Sequence, residues 1–119
     1  MRGSYNYTEQ DRQDFIRKLK ELCERWNTVG GIDLCDTNLN LSNCQDLLEE
    51  ELGYDHVDSD TNGWEMEFWW VFEAEGLPKI IVSGCGYTAD LSIRFYGVSR
   101  GIDIDVAPLM AKMKEVWGV

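Results

Sequence analysis

Residues 64–73 alternate between two kinds of side chain, and this pattern constrains the fold more than any other part of the sequence. One side of the alternation is apolar throughout and consists of Trp64, Met66, Phe68, Trp70 and Phe72. The other side carries Glu65, Glu67, Trp69, Val71 and Glu73. A period of two predicts a β-strand with one buried face, and that face needs a second layer to cover it.

Three segments have the three- and four-residue apolar spacing of amphipathic helices, which can supply that layer. The first covers residues 9–27, the second ends at Gly53, and the third has Pro108 in its first turn. The residues that we expect to cap these helices are Thr8 with Asp11, Ser42 with Gln45, and Asp103 or Asp105.

Two further β-rich runs, residues 79–83 and 91–96, follow the alternating strand and are separated by a glycine-containing turn at residues 84–86. The polar stretch 54–63 is predicted to be a loop, and residues 32–34 form at most a short edge strand.

The order of these elements, ααβββα, predicts an α+β fold in which a three-stranded antiparallel meander is packed with amphipathic helices. With 119 residues, of which 44% are hydrophobic, the chain has enough apolar side chains for one core but not for two. We therefore expect a single domain over residues 1–119.

Cysteine spacing and the chain start indicate the compartment. The four cysteines, Cys23, Cys35, Cys44 and Cys85, and the single histidine lack the paired short spacings of zinc ligands. The chain begins with polar residues, and no apolar run approaches the roughly 18–20 residues that span a bilayer. We expect a cytoplasmic protein with free thiols, without a cofactor and without membrane contact.

Charge is the second strong constraint. The 11 Lys and Arg residues stand against 22 Asp and Glu residues, giving a net charge of −11. Direct nucleic-acid binding is excluded as a default, because neutralising phosphates requires a basic surface. The 53 positions between Arg25 and Lys79 contain no Lys or Arg and thirteen acids. This segregation favours a surface that attracts a basic partner, whereas a merely solvated surface normally intersperses both signs.

The candidate partner-binding residues combine these acids with one aromatic side chain. Asp46, Glu49 and Glu50 share a face of the second predicted helix. The other candidates lie in the predicted loop and strand: Asp55, Asp58, Asp60, Glu65, Glu67, Trp69 and Glu73. If no helix covers its side of the sheet, Trp69 is an aromatic anchor surrounded by acids. Otherwise it belongs to the core or to a homodimer interface.

These features indicate a small acidic interaction or inhibitor protein. The carboxylates would replace phosphates on a basic partner surface, such as that of a nucleic-acid-binding protein or a nuclease. In charge and size, the chain resembles phage-encoded inhibitors of bacterial defence nucleases, such as anti-CRISPR proteins, and the immunity proteins of nuclease toxins. The sequence contains no nucleophile elbow, phosphate-binding glycine loop or zinc-protease helix, so we do not expect an enzyme.

The alternative is a small-ligand or calcium-binding domain that uses the acidic segment 55–67, as a monomer or an oligomer. Residues 58–63 match the first half of a calcium loop, with Asp58, Asp60 and Asn62 at ligand positions one, three and five and Gly63 at position six. Position twelve, where a bidentate Glu is required, is Trp69. The pattern therefore favours a plain acidic turn over a calcium site.

Overall fold

The described part of the chain folds into three α-helices and five β-strands, of which the last four follow one another without an α-helix between them. The computed structural model describes residues 7–64, 66–88 and 90–119. In chain order the elements are α1 (Glu9–Val29), β1 (Ile32–Asp33), α2 (Leu41–Leu52), β2 (Asp55–Asn62), β3 (Glu67–Glu73), β4 (Ile80–Cys85), β5 (Asp90–Phe95) and α3 (Ala107–Trp117). A short 3₁₀ turn, Val98–Arg100, lies between β5 and α3.

The five strands form one antiparallel sheet in the order β1-β5-β4-β3-β2. Two rows of paired residues cross β3, β4 and β5, namely Phe72–Ile80–Phe95 and Trp70–Val82–Ile93. Directly paired residues lie on the same face of a sheet, so these six side chains form one continuous apolar surface. The apolar side of the alternation in residues 64–73 contributes Trp70 and Phe72 to it.

All three helices pack on this apolar surface. Their contribution to the shared core is Phe15, Leu19, Leu22, Leu47, Leu48, Leu52, Leu109 and Met113, each 2% exposed or less. The α+β class is thus confirmed, with the helices in one layer and the sheet in the other. No helix within the described ranges is long and apolar enough to cross a membrane.

One carboxylate connects the helices to one another. Glu51, near the end of α2, accepts hydrogen bonds from Tyr7 Oη (2.6 Å), Arg12 Nε (2.7 Å) and Trp117 Nε1 (2.7 Å). Partial burial raises the pKa of Glu51, but the hydrogen bonds from Tyr7, Trp117 and Arg12 more than offset it, so the pKa lies below its usual value. A charged Glu51 therefore joins α2 to both α1 and α3.

The helix caps agree with the sequence in one case out of three. Thr8 and Asp11 form the expected capping box of α1. At α2 the prediction was wrong, because Asn40 and Asn43 form the box instead, and the helix begins before Ser42. At α3 the N-cap is Val106, which has no side-chain oxygen, and Asp105 accepts a hydrogen bond from the Ala107 N–H (3.2 Å).

The predicted element order and the three-stranded meander also need correction. The sheet has five strands, and the predicted loop 54–63 is mostly the edge strand β2. Nearly all of its residues are exposed, so β2 lacks the apolar side chains that mark a strand in a sequence. Gly84 and Cys85, predicted to lie in a turn, belong to β4. The short edge strand predicted at 32–34 is present as β1.

Candidate protein-docking surface

The second face of the sheet points away from the helices, and its apolar residues Trp69, Val71 and Ile81 lie outside the core that the helices share. Val29, the last residue of α1, and the 3₁₀ turn Val98–Arg100 line its β4–β5 side. Alternation along the strands and the pairing register define its members. They are Asp33, Asp55, Asp58, Asp60, Asn62, Glu67, Trp69, Val71, Glu73, Ile81, Ser83, Cys85, Asp90, Ser92 and Arg94. We call this set the open face.

The centre of the open face is apolar. Val71 and Ile81 are direct neighbours in the register, and Trp69 lies one row away, between Asp60 and Ser83. Ile81 is 9% exposed although no helix covers it, because the side chains around it shield it. Trp69 and Val71 are partly exposed. An apolar centre of this kind can be desolvated by a partner surface.

Carboxylates surround this centre on both sides. Seven of the open-face residues are acidic, namely Asp33, Asp55, Asp58, Asp60, Glu67, Glu73 and Asp90. The positive charges near them are Arg94, on the open face, and Lys79, at the end of the face. Lys79 Nζ lies 3.1 Å from Glu73 Oε2. Arg94 has no ion pair within the described residues. The open face is therefore a predominantly negative surface.

A groove of about 860 Å³ runs over the β4–β5 side of the open face. Ile81, Ser83, Ser92 and Arg94 are among the residues that line it. The Oγ atoms of Ser83 and Ser92 lie 3.4 Å apart, and Ser83 is buried. The groove thus offers hydroxyl groups and a guanidinium beside the carboxylates. These groups can form hydrogen bonds and ion pairs with a partner.

Tyr96 and Arg100 line one end of the groove, and Lys79 lies next to Tyr96. The Nζ of Lys79 lies 5.3 Å from the centre of the Tyr96 ring, and the Cζ of Arg100 lies 5.4 Å from it. Both distances allow cation–π attraction. This contact holds the positive charge at one corner, so it does not neutralise the acids of β2.

The structure brings six of the predicted partner-binding residues together. Asp55, Asp58, Asp60, Glu67, Trp69 and Glu73 all lie on the open face, on the adjacent strands β2 and β3. In the register, Asp60 is paired with Trp69, Asp58 with Val71, and Asp55 with Glu73. Glu65 lies outside the described residues.

The other three predicted residues do not join this surface. Asp46, Glu49 and Glu50 lie on α2, which packs on the opposite side of the sheet. Their acidic face belongs to the helical layer, so the predicted residues of α2 and those of the open face form two separate groups. Periodicity within α2 places them on one helix face but cannot show which side of the sheet that helix covers.

Some acids of the segment without basic residues are neutralised by cations from elsewhere in the chain. Asp36 Oδ1 lies 2.8 Å from Lys18 Nζ, and the hydrogen bond from Lys18 lowers the pKa of Asp36. Glu51 pairs with Arg12, as described above. Asp36 and Glu51 both lie outside the open face, so Lys18 and Arg12 do not neutralise its carboxylates.

Sequence reasoning missed two carboxylates of the surface. Asp33 lies on the short strand β1 and is paired with Ser92 of β5, whereas Asp90 begins β5 and is paired with Cys85. The alternation of Asp90, Ser92 and Arg94 with apolar residues was the signal that could have identified Asp90. Nothing local identifies Asp33, because its place depends on pairing across 59 positions of sequence with Ser92.

The calcium alternative loses its structural basis in the described residues. Asp58, Asp60 and Asn62 are consecutive open-face residues of an extended strand and not parts of a loop. Alternate residues of a strand lie about 6.6–6.8 Å apart along its axis, so the chain does not wrap around one ion. Among the described residues, no group of three or more His, Cys, Asp or Glu side chains is arranged to hold a metal ion.

With the geometry defined, the chain can be compared with known proteins. No protein-family model, curated protein or solved structure matches it. The class defined by the structure is therefore an α+β domain with a five-stranded antiparallel sheet, helices on one face and an acidic open face on the other.

Proposed function

We propose that this protein is an acidic interaction module whose open face docks on a basic surface of another protein. The basic surface is one that normally binds nucleic acid, so the carboxylates of β2 and β3 take positions that phosphates occupy. Bound there, the module acts as an inhibitor, because it excludes the nucleic acid. Chemistry on a substrate is not part of this function.

The observation that supports the proposal best is the position of the acids on a sheet face without a helical cover. Antiparallel sheets can leave one face to solvent, and that face is normally polar with both charge signs. Here seven carboxylates share it with Arg94 and the flanking Lys79. Like charges on neighbouring strands destabilise a sheet, so the arrangement has a cost that a basic partner would remove.

Trp69 supplies the second part of the interaction. It lies beside Asp60 in the register, on the same face as Val71 and Ile81. In protein interfaces, large aromatic side chains at the centre contribute most of the binding free energy, and charges at the rim mainly set the association rate and the specificity. The open face has this distribution, with an apolar centre and acidic surroundings.

The proposal is tested with two charge-reversed proteins that carry the same change in net charge. In one, Asp55, Asp58 and Asp60 on the open face are replaced by Lys. In the other, Asp46, Glu49 and Glu50 on α2 are replaced by Lys. Partners are captured from a lysate on the wild-type protein, identified, purified and measured again by titration calorimetry.

We expect the purified partner to be basic, to be displaced by a nucleic acid that it binds, and to retain affinity for the α2 variant. The open-face variant should bind at least tenfold more weakly. Equal binding by both variants, or a partner that binds nucleic acid and this protein at the same time, would contradict the proposal.

A further inference from the structure

Among the described residues, no strand pairs with the outer edge of β2. In the sheet order β2 is terminal, and seven of its eight residues pair on one side with β3, while Val57 lies at a bulge between His56 and Asp58. At the other end of the sheet, β1 has two residues. An unpaired edge presents a row of backbone donors and acceptors that can pair with an extended segment of another chain. β2 is thus the side of the sheet with the greatest capacity for strand addition.

Two carboxylates of the open face also contact the backbone of this strand. The Ser59 N–H donates to Asp58 Oδ1 and the Thr61 N–H donates to Asp60 Oδ1, each at 2.9 Å. An N–H that points towards β3 donates to a carbonyl of β3. These two amides donate to carboxylates of their own strand, so they belong to the outer edge. Asp58 and Asp60 therefore cover the donors that an added strand would use.

We propose that β2 is a charge-gated site for strand addition by an extended basic segment of the partner. The inference rests on the proposed function, since it specifies how the basic partner is bound. Lys or Arg residues at alternating positions of the added strand would face Asp58 and Asp60. Ion pairing draws the carboxylates away from Ser59 and Thr61, whose N–H groups then donate to carbonyls of the added strand.

Charge explains why a basic segment fits this edge and other strands do not. A neutral strand would have to displace the carboxylates without giving them a partner. In a second copy of this chain, the aspartates of the two β2 strands would face one another, and like charges directly opposite destabilise a sheet. Charged side chains on an edge strand protect the edge against self-pairing. The occupant that relieves the repulsion is a cationic strand.

The test uses synthetic ten-residue peptides in which Lys and Thr alternate, with blocked ends and a fluorescent label. One peptide is unmodified, one is N-methylated at its threonines, and one at its lysines. Residues of the same parity direct their N–H groups to the same edge, so each methylated peptide has one blocked edge. Binding to the full chain is measured by fluorescence anisotropy.

Strand addition predicts that one methylated peptide binds at least tenfold more weakly than the unmodified peptide, while the other keeps its affinity. Equal affinity of all three peptides would show that attraction to the open face is sufficient, and would overturn strand addition while leaving the proposed function intact. Absence of binding by the unmodified peptide at millimolar concentration would also overturn it. The proposed function itself is tested by a different measurement, the binding of the purified partner to the two charge-reversed proteins.

A second measurement tests the gate. The neutral peptide has Gln in place of Lys and is titrated against the wild-type protein and the double variant Asp58→Ala/Asp60→Ala. Both aspartates are exposed, so their removal leaves the core unchanged. With its edge donors uncovered, the double variant should bind the neutral peptide at least fivefold more tightly than the wild type. An unchanged or weaker affinity would contradict gating by the carboxylates.

Discussion

Trp69 and Trp70 are adjacent in the chain but lie on opposite faces of the sheet. Trp70 packs against the core and stacks on His56 at a ring-centre distance of 4.3 Å. We expect Trp70→Ala to lower the free energy of unfolding by about 2 kcal/mol, since it removes a large, partly buried ring. Trp69→Ala should lower it by less than about 1 kcal/mol. Urea denaturation of both variants measures the difference.

The same two variants separate binding from stability. Trp69→Ala should weaken binding to the partner by about 2 kcal/mol, or roughly 30-fold, if Trp69 is the anchor of the open face. Trp70→Ala should leave the affinity of the folded protein unchanged. If Trp69→Ala reduced stability as much as Trp70→Ala and left binding intact, Trp69 would be a structural residue.

Glu51 should be the acid on which stability depends most. Replacing it by Ala removes three hydrogen bonds, from Tyr7, Arg12 and Trp117, and leaves a partly buried guanidinium and indole N–H without their acceptor. We expect a loss of about 2 kcal/mol, because hydrogen bonds to charged groups are among the stronger ones. Glu49→Ala on the same helix is the control and should change stability by less than about 0.5 kcal/mol. Thermal or urea unfolding of the pair provides the comparison.

Glu51 also makes stability depend on pH. Its pKa is lower in the folded protein than in the unfolded chain. The stabilisation is therefore complete above the unfolded value of about 4.3 and is lost as the pH falls through the folded value. The difference in unfolding free energy between the wild type and Glu51→Gln should shrink when the pH is lowered from about 6 to about 3. A constant difference over that range would exclude this linkage.

At the scale of the elements, Gly84 determines how closely β4 and β5 approach beneath the groove. A Cβ at this position would lie 2.2 Å from the backbone oxygen of Asp90 and 2.8 Å from Phe68 Cζ. The backbone cannot move aside as a side chain can, so Gly84→Ala should destabilise the fold by at least about 2 kcal/mol. A Cβ added at Gly63 would meet no atom within 4 Å, so Gly63→Ala is the control. Similar unfolding midpoints for the two variants would contradict this packing.

The sequence predicts the helices and β3 well because their signals are local. The Thr8–Asp11 capping box and the apolar spacing are contained within α1, and the alternation of β3 is contained within seven residues. In α2 the same reasoning failed at the N-terminus. Asn40 with Asn43 and Ser42 with Gln45 are both acceptable capping patterns, and in the folded chain Asn43 is buried and forms the capping box with Asn40.

Edge strands show the limit of local signals. β2 pairs on one side alone and buries little, so its sequence of mostly polar residues resembles a loop. Its extended shape comes from hydrogen bonding to β3, which no local pattern reports. Since β2 carries three of the predicted partner-binding acids, the candidate residues were identified while the geometry that joins them was not.

For the whole molecule, the acids that are close in sequence do not all lie on one surface. Those of β2 and β3 share the open face, whereas those of α2 lie in the helical layer on the other side of the sheet. The sequence shows that 53 residues lack cations. It cannot show that β2 and β3 direct their acids to the face opposite the helices, because that requires the order of the strands. Asp33 and Asp90 joined the same face from outside the β2–β3 hairpin for this reason.

The negative surface should make binding sensitive to ionic strength. The Debye length, over which exposed charges interact, falls from about 10 Å at 0.1 M salt to about 3 Å at 1 M. Attraction between exposed charges therefore weakens steeply in this range. We expect the dissociation constant for the partner to rise at least tenfold between about 0.05 and 0.5 M salt. In the variant with Asp55, Asp58 and Asp60 replaced by Lys, this dependence should be much smaller. A salt-independent affinity in the wild type would exclude steering by charge.

The distribution of primary amines follows from the one-sided helical layer and has a practical use. Among the lysines, Lys20, Lys112 and Lys114 lie on α1 and α3, Lys18 of α1 is buried, and Lys79 lies at the end of the sheet beside Glu73. Amine-directed coupling to a sensor chip or a bead should therefore anchor the molecule mainly through its helices and leave the carboxylate side turned to the solution. Carbodiimide activation would do the opposite and consume the very groups that an immobilised sample is meant to present.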